Sequence, residues 1–141
     1  MSILGGAINN TEVTKTSFFV PYTPIVTGIG GAVTTNINRG RFIQLGKLVY
    51  VEIGFSLLTV AGGTTGVTTT VPFNVDTQDI FGNVQNFFPI LSGTVNAGAP
   101  PGVACFGVVI YPDTLQVVKY DNIPVAVAGY QFFLSGWYSK K

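Results

Sequence analysis

Residues 36–58, NINRGRFIQLGKLVYVEIGFSLL, alternate apolar and other positions around a tight turn at residues 45–47. After the turn, apolar side chains occupy every second position without a break: Val49, Val51, Ile53, Phe55 and Leu57. A period of two is typical of a β-strand with one face in a hydrophobic core. The pattern therefore predicts two paired strands, with this apolar row of the second strand pointing inward.

The opposite face of the same strand has a mixed character, because it carries Leu48, Tyr50 and Glu52, followed by a glycine and a serine. A monomeric sandwich would normally present lysine, glutamate and threonine to water at such positions. Apolar side chains on this second face indicate contact with another subunit. We therefore predict that Leu48, Tyr50 and Glu52 lie in a subunit interface, which points to an assembly protein.

The rest of the chain consists of short extended segments separated by glycine- and proline-containing turns. Strands are predicted at residues 17–22, 66–73, 87–95, 103–111, 115–120 and 130–138, with loops at 28–31 and 74–86. No window has the three-four apolar spacing of an amphipathic helix. Strands at intervals of roughly 8–15 residues predict an all-β fold, a single-domain antiparallel β-sandwich or jelly roll. This domain spans residues 17–141 and follows an extended N-terminal arm, residues 1–16.

Composition favours a subunit of an assembly over a free monomer. Hydrophobic residues make up 47% of the 141 residues and charged ones only 9%, which leaves much neutral surface. We therefore predict that the chain self-associates. The net charge of +1 is too small to indicate nucleic-acid binding. Arg39 and Arg41 share one strand face, but phosphate tracking needs many more such contacts, so a solvated or interface face is preferred. No apolar run of membrane-spanning length occurs, so membrane insertion is not expected.

The sequence has few residues suited to catalysis or metal binding. The chain contains no histidine, so a Ser-His-Asp or Cys-His arrangement cannot form. Asp76 and Asp79 are the closest carboxylates, and with Asn74 they offer oxygen ligands for Ca²⁺, but their spacing fits a capped turn better than an EF-hand loop. Cys105 lies in an apolar run and is interpreted as a small buried hydrophobe. We therefore predict no enzyme activity, no cofactor and no metal.

Two further sets of side chains are candidates for binding partners. Ile3, Leu4 and Ile8 give the polar arm apolar anchors, which an extended segment can bury against a neighbouring protein. Near the other end of the chain, Trp137 and Tyr138 are candidates for stacking on a glycan, although filling the core or a subunit contact is the preferred interpretation.

The order of several motifs resembles a known class of protein. Residues 22–24 (YTP), a glycine-rich loop, the segment RGRFIQLGKLVYVEIGF, a VPF strand end and a closing FLSGWY follow one another along the chain. This order is similar to β-sandwich modules in virion proteins of tailed bacteriophages, often at the C-termini of tail fibres and other minor structural proteins. The resemblance covers roughly residues 20–138. It implies a homotrimer without cofactor or enzymatic activity.

The resemblance leaves two functions open. One is a capsid decoration (cement) protein that stabilises the shell by contacting the major capsid protein and other virion proteins. The other is the receptor-binding head of a tail fibre or spike, recognising a host surface glycan or protein. Only some 16 residues precede the domain, whereas a fibre has an attachment domain and a shaft, so decoration is preferred. Either function implies a protein made in the host cytoplasm and located in the virion.

Overall fold

Every strand in the described part of the chain belongs to one antiparallel sheet. The computed structural model describes residues 18–78, 89–96, 102–121 and 125–141, so the arm with Ile3, Leu4 and Ile8 lies outside the described residues, as does Asp79. Within these ranges there are nine strands, in the order β1-β3-β4-β9-β6-β7-β8-β5-β2 across the sheet. They are β1 (Val20–Pro21), β2 (Val26–Ile29), β3 (Val33–Leu45), β4 (Leu48–Val60), β5 (Gly66–Thr70), β6 (Pro89–Asn96), β7 (Val103–Tyr111), β8 (Thr114–Lys119) and β9 (Gln131–Ser139). The predicted all-β class and antiparallel pairing are confirmed.

The tight turn predicted at residues 45–47 joins the two longest strands, β3 and β4. Leu45 pairs with Leu48, so the connection is the two-residue turn Gly46-Lys47. Gly46 has a φ of 59°, in the left-handed region that glycine enters without a steric penalty. Two-residue turns of this kind match the twist of antiparallel strands, so the turn fixes the register of the β3–β4 pair.

The apolar row of β4 forms the centre of the core, as predicted. All five of its side chains are fully buried, and neighbouring strands add their own inward-facing residues around it. The Phe55 ring stacks on that of Phe132 in β9, with centroids 4.8 Å apart and planes 16° from parallel. Leu91, Leu115 and Leu134, from three other strands, are also fully buried.

The predicted β-sandwich needs a correction, because one continuous sheet curls into a half-barrel where two stacked sheets were expected. Val20 in β1 pairs with Phe42 at one edge of the sheet, and Val26 in β2 pairs with Thr69 at the other. Only residues 22–25 connect these two strands, a path of at most roughly 18 Å between their ends. The two edges must therefore approach each other. Strand spacing in the sequence missed β2, and it does not show whether the strands form one sheet or two.

The prediction of a glycine-rich loop at residues 28–31 is partly wrong, since Gly28 and Ile29 lie in β2. They pair with Val67 and Gly66 in β5. A Cβ at position 28 would clash with the carbonyl oxygen of Gly31, so only glycine fits there. Glycine here allows close approach of two backbone segments, a role that composition alone does not separate from loop formation.

Residues 71–78 follow the sheet without forming a regular strand. Val75 makes an isolated bridge with Lys140, and the backbone amide of Asp76 donates to the Ser139 carbonyl at 2.7 Å. The Asp76 carboxylate accepts from the amide of Gln78 at 3.2 Å, as in a capped turn. This segment is therefore held against the C-terminal end of β9.

Candidate functional site

The described residues offer no assembled catalytic or metal centre. Within their ranges, no three His, Cys, Asp or Glu side chains come close enough to hold a metal ion. Cys105 is buried, and this burial raises the pKa of its thiol to about 11, which keeps it protonated and unreactive at neutral pH. In the same described part, no helix has the length and apolar character that a membrane span requires. The features with binding potential lie on the outer face of the sheet.

An exposed apolar cluster, here called the outer patch, covers one end of that face. Tyr50 lies at its centre, opposite Ile43 of β3 and Trp137 of β9 in the strand register. The Tyr50 ring centroid is 5.2 Å from that of Trp137 and 6.3 Å from that of Phe19. Leu45 and Leu48 extend the patch to the β3–β4 turn. Leu48 and Trp137 are each 51% exposed, so the outer patch presents a broad apolar surface to the surroundings.

A charged cluster borders the outer patch and is held together by Glu52. Its carboxylate accepts hydrogen bonds from Arg41 Nε at 2.7 Å, from Arg39 Nη1 at 3.0 Å and from the Tyr50 hydroxyl at 3.3 Å. Burial opposes ionisation of this carboxyl, but the bonds from the two arginines, the charge of Arg41 and the bond from Tyr50 outweigh it and hold the Glu52 pKa below its usual range. The Arg41 guanidinium also lies 3.8 Å from the centroid of the Phe19 ring. The cluster therefore carries one net positive charge in a fixed geometry.

The residues predicted to form a subunit interface, Leu48, Tyr50 and Glu52, all point to this outer face. Leu48 and Tyr50 belong to the outer patch. Glu52 has only 12% of its side chain exposed and is enclosed by the two arginines, so its direct effect is to position Arg39 and Arg41. The interface itself remains a prediction.

Trp137 and Tyr138 lie on opposite faces of β9 and do not form a joint platform. Trp137 is part of the outer patch, whereas Tyr138 is 4% exposed and packs in the core. The Tyr138 hydroxyl accepts from the backbone amide of Phe73 at 3.2 Å and donates to the Phe73 carbonyl at 3.1 Å. Burial raises the Tyr138 pKa to about 12, against the effect of the Phe73 bond. Only Trp137 is therefore available for stacking on a glycan or a partner.

A second feature, here called the polar hollow, lies farther along the same strands. Its cavity volume is ≈ 350 Å³. Gly54 of β4 is one of its lining residues. The others come from β3, β6 and β9 and are Asn38, Arg39, Thr94, Asn96, Gln131, Phe132 and Phe133. The sequence interpretation did not find it, since it depends on β6 lying beside β9. The one local signal is Gly54, a glycine inside a strand of mostly large side chains.

Comparisons with known proteins add no assignment. The sequence matches no protein-family model. Neither the curated proteins nor the solved structures contain a significant match to it.

Proposed function

We propose that the protein is a non-enzymatic structural protein of a tailed-bacteriophage virion, a trimeric decoration protein that stabilises the capsid shell. The observation that carries the proposal is the outer patch, an exposed apolar surface on strands whose other face is buried in the core. The motif order from the YTP segment to the FLSGWY strand adds the resemblance to phage virion modules.

The outer patch has the residue types that dominate protein–protein binding energy. Tyrosine, tryptophan and arginine are enriched among interface hot spots, and Tyr50, Trp137 and Arg41 occur together here with the leucines of the β3–β4 turn. A chain with 9% charged residues has few charges elsewhere to keep such a surface apart from other copies. Self-association or binding to another virion protein would remove this apolar surface from water.

The predicted homotrimer is tested by light scattering at micromolar concentration. We expect a particle of three times the 14.9 kDa chain mass. Trp137→Ser removes the most exposed aromatic ring of the outer patch and should shift the population towards monomer. Phe133→Ser changes another exposed aromatic residue of β9, outside the patch, and should leave the trimer intact. A wild-type protein that remains a monomer would refute the trimer.

Decoration is tested by adding the purified protein to phage shells prepared without it. Electron microscopy should show copies distributed over the whole shell, and decorated shells should resist heating better than bare ones. Trp137→Ser should reduce occupancy. Shells that never bind the intact protein would argue against decoration.

The arm provides a separate test of the same function. Ile3, Leu4 and Ile8 lie outside the described residues, and we propose that they tether the trimer to capsid proteins. Each would contribute about 1.5–3 kcal/mol on burial before ordering costs, and three arms on one trimer would act together through effective concentration. Deletion of residues 2–16 should leave a folded trimer that no longer decorates shells. Full occupancy by the truncated protein would show that the arm is not the tether.

A receptor-binding head of a tail fibre or spike is the second candidate, favoured by the exposed Trp137 beside Tyr50, a surface suited to stacking. Copy number separates the two candidates. Labelled protein spread over the shell supports decoration, whereas a few copies confined to the tail support the receptor-binding head.

A further inference from the structure

We propose that the polar hollow binds a neutral saccharide unit, a binding activity that goes beyond the structural role proposed above. The hollow is distinct from the outer patch, since Glu52 lies between Gly54 and Tyr50 along β4. Two features of the backbone form the hollow, Gly54 and a β-bulge at Asn38. Its lining combines an exposed aromatic ring with side-chain amides.

The first feature is Gly54. Its backbone is extended and has no positive φ, so glycine is not required there for conformational reasons. A Cβ at this position would lie 3.3 Å from Arg39 Cβ and 3.6 Å from Phe133 Cδ2. A glycine inside a strand costs roughly 0.5–1 kcal/mol relative to alanine, and such a glycine often marks a site where a ligand or another backbone approaches closely. Here the missing side chain lets Arg39 and Phe133 approach the strand closely, and Gly54 forms the floor of the hollow between them.

The second feature is a β-bulge directly across from Gly54. Ile37 pairs with Phe55 and Arg39 pairs with Gly54, so Asn38 is an extra residue in β3. Bulges redirect side chains and are frequent beside functional sites. The Asn38 amide donates to Ser56 Oγ at 2.9 Å, and its carbonyl oxygen accepts from Asn36 Nδ2 at 3.1 Å. These bonds hold Asn38 at the rim of the hollow.

The lining supplies the groups that a sugar ring needs. Phe133 is 40% exposed and offers a ring surface for the apolar face of a pyranose. The side-chain amides of Asn38, Asn96 and Gln131 carry donors and acceptors, as sugar hydroxyls do, and the Asn38 amide also keeps its bonds to Ser56 and Asn36. Small-molecule sites have this composition, an apolar surface with a few placed polar groups, and volumes from about 300 Å³ upward.

The charge of the lining selects a neutral ligand. Among the described lining residues there is no carboxylate, so a cation has no counter-charge. The one charged lining residue is Arg39, and its Nη1 is already bonded to Glu52 at 3.0 Å. Its guanidinium carbon lies 5.8 Å from the Phe133 ring centroid, so Arg39 forms a wall of the hollow. An anionic sugar would therefore meet an arginine that already has a carboxylate partner, Glu52.

The test uses labelled full-length protein on an array of neutral and acidic saccharides, followed by saturation-transfer NMR with glucose, galactose, mannose and N-acetylglucosamine. We expect at least one neutral saccharide to bind. Phe133→Ala should weaken it at least about tenfold, which corresponds to about 1.4 kcal/mol. Gly54→Ser, whose side chain would push Arg39 and Phe133 out of place, should weaken it similarly while the far-ultraviolet circular dichroism stays that of the wild type.

The matched control is Tyr111→Ala, an exposed aromatic residue of β7 outside both the hollow and the outer patch. It should leave saccharide affinity within about twofold. If no saccharide binds, if only acidic saccharides bind, or if Tyr111→Ala rather than Phe133→Ala abolishes binding, the proposal is wrong. Decoration of shells is measured separately, so either result leaves the structural role to its own test.

Discussion

Replacing Phe55 with alanine tests which face of β4 holds the core. Phe55 is fully buried and its ring stacks on Phe132 at 4.8 Å, so truncation removes most of a phenyl ring's contacts and leaves a cavity. Phe→Ala changes at such positions cost about 3–5 kcal/mol of unfolding free energy. For a chain of 141 residues, this loss lowers the melting temperature by roughly 10–17 °C.

The assay is urea unfolding followed by circular dichroism, with thermal melts at one fixed protein concentration because association also stabilises the folded state. The control is Phe133→Ala, the same substitution on the outer face, where the ring is 40% exposed and the expected loss is below about 2 kcal/mol. An unchanged dependence on urea concentration would show that the two variants unfold from comparable states. Equal losses for the two variants, or an unchanged melting temperature for Phe55→Ala, would refute the assignment of the inward face.

Three further outcomes follow from individual contacts. Tyr138→Phe removes both bonds to the Phe73 backbone and should cost about 1–3 kcal/mol in urea unfolding, whereas Tyr111→Phe on the surface should cost little. Because the Tyr138 pKa is raised to about 12 in the folded state, its contribution is complete below the unfolded value of about 10 and is lost as pH rises towards 12, which tyrosinate absorbance and unfolding at alkaline pH would both report. The lowered Glu52 pKa gives the opposite pH dependence. The contribution of Glu52 to stability is complete above the unfolded pKa of about 4.3 and is lost as pH falls through the folded pKa. Glu52→Gln should therefore reduce the loss of stability at acid pH. Finally, we expect no hydrolysis of polysaccharide or peptidoglycan, and turnover that disappears in Asp76→Asn would contradict the non-enzymatic proposal.

The candidate surfaces were predictable only in part. The alternation in β4 identified an outward-facing row with Leu48 and Tyr50, and the structure adds Phe19 and Trp137 around them. That Arg39 and Arg41 share Glu52 was not predictable, because it requires the β3–β4 register across a bulge. Neighbouring residues in a strand face opposite ways, but alternation alone does not say which of Trp137 and Tyr138 points inward.

What the sequence determined by itself was local. The inward row of β4, the tight turn around Gly46 and the bounds of β7 at Val103–Tyr111 all follow from the zigzag of an extended chain and the conformational freedom of glycine. These properties depend on residues within a few positions of each other, so a periodic pattern is enough to predict them.

What only the tertiary structure decided was the pairing of distant strands. β6 beside β9 creates the polar hollow, and the short connection from β1 to β2 brings the two edges of the sheet together. Tyr138 pairs with Val49 and therefore faces the core. Such pairings are selected by the packing of one curled sheet around a shared core, a balance among many weak contacts between residues far apart in the chain, and no local pattern encodes them.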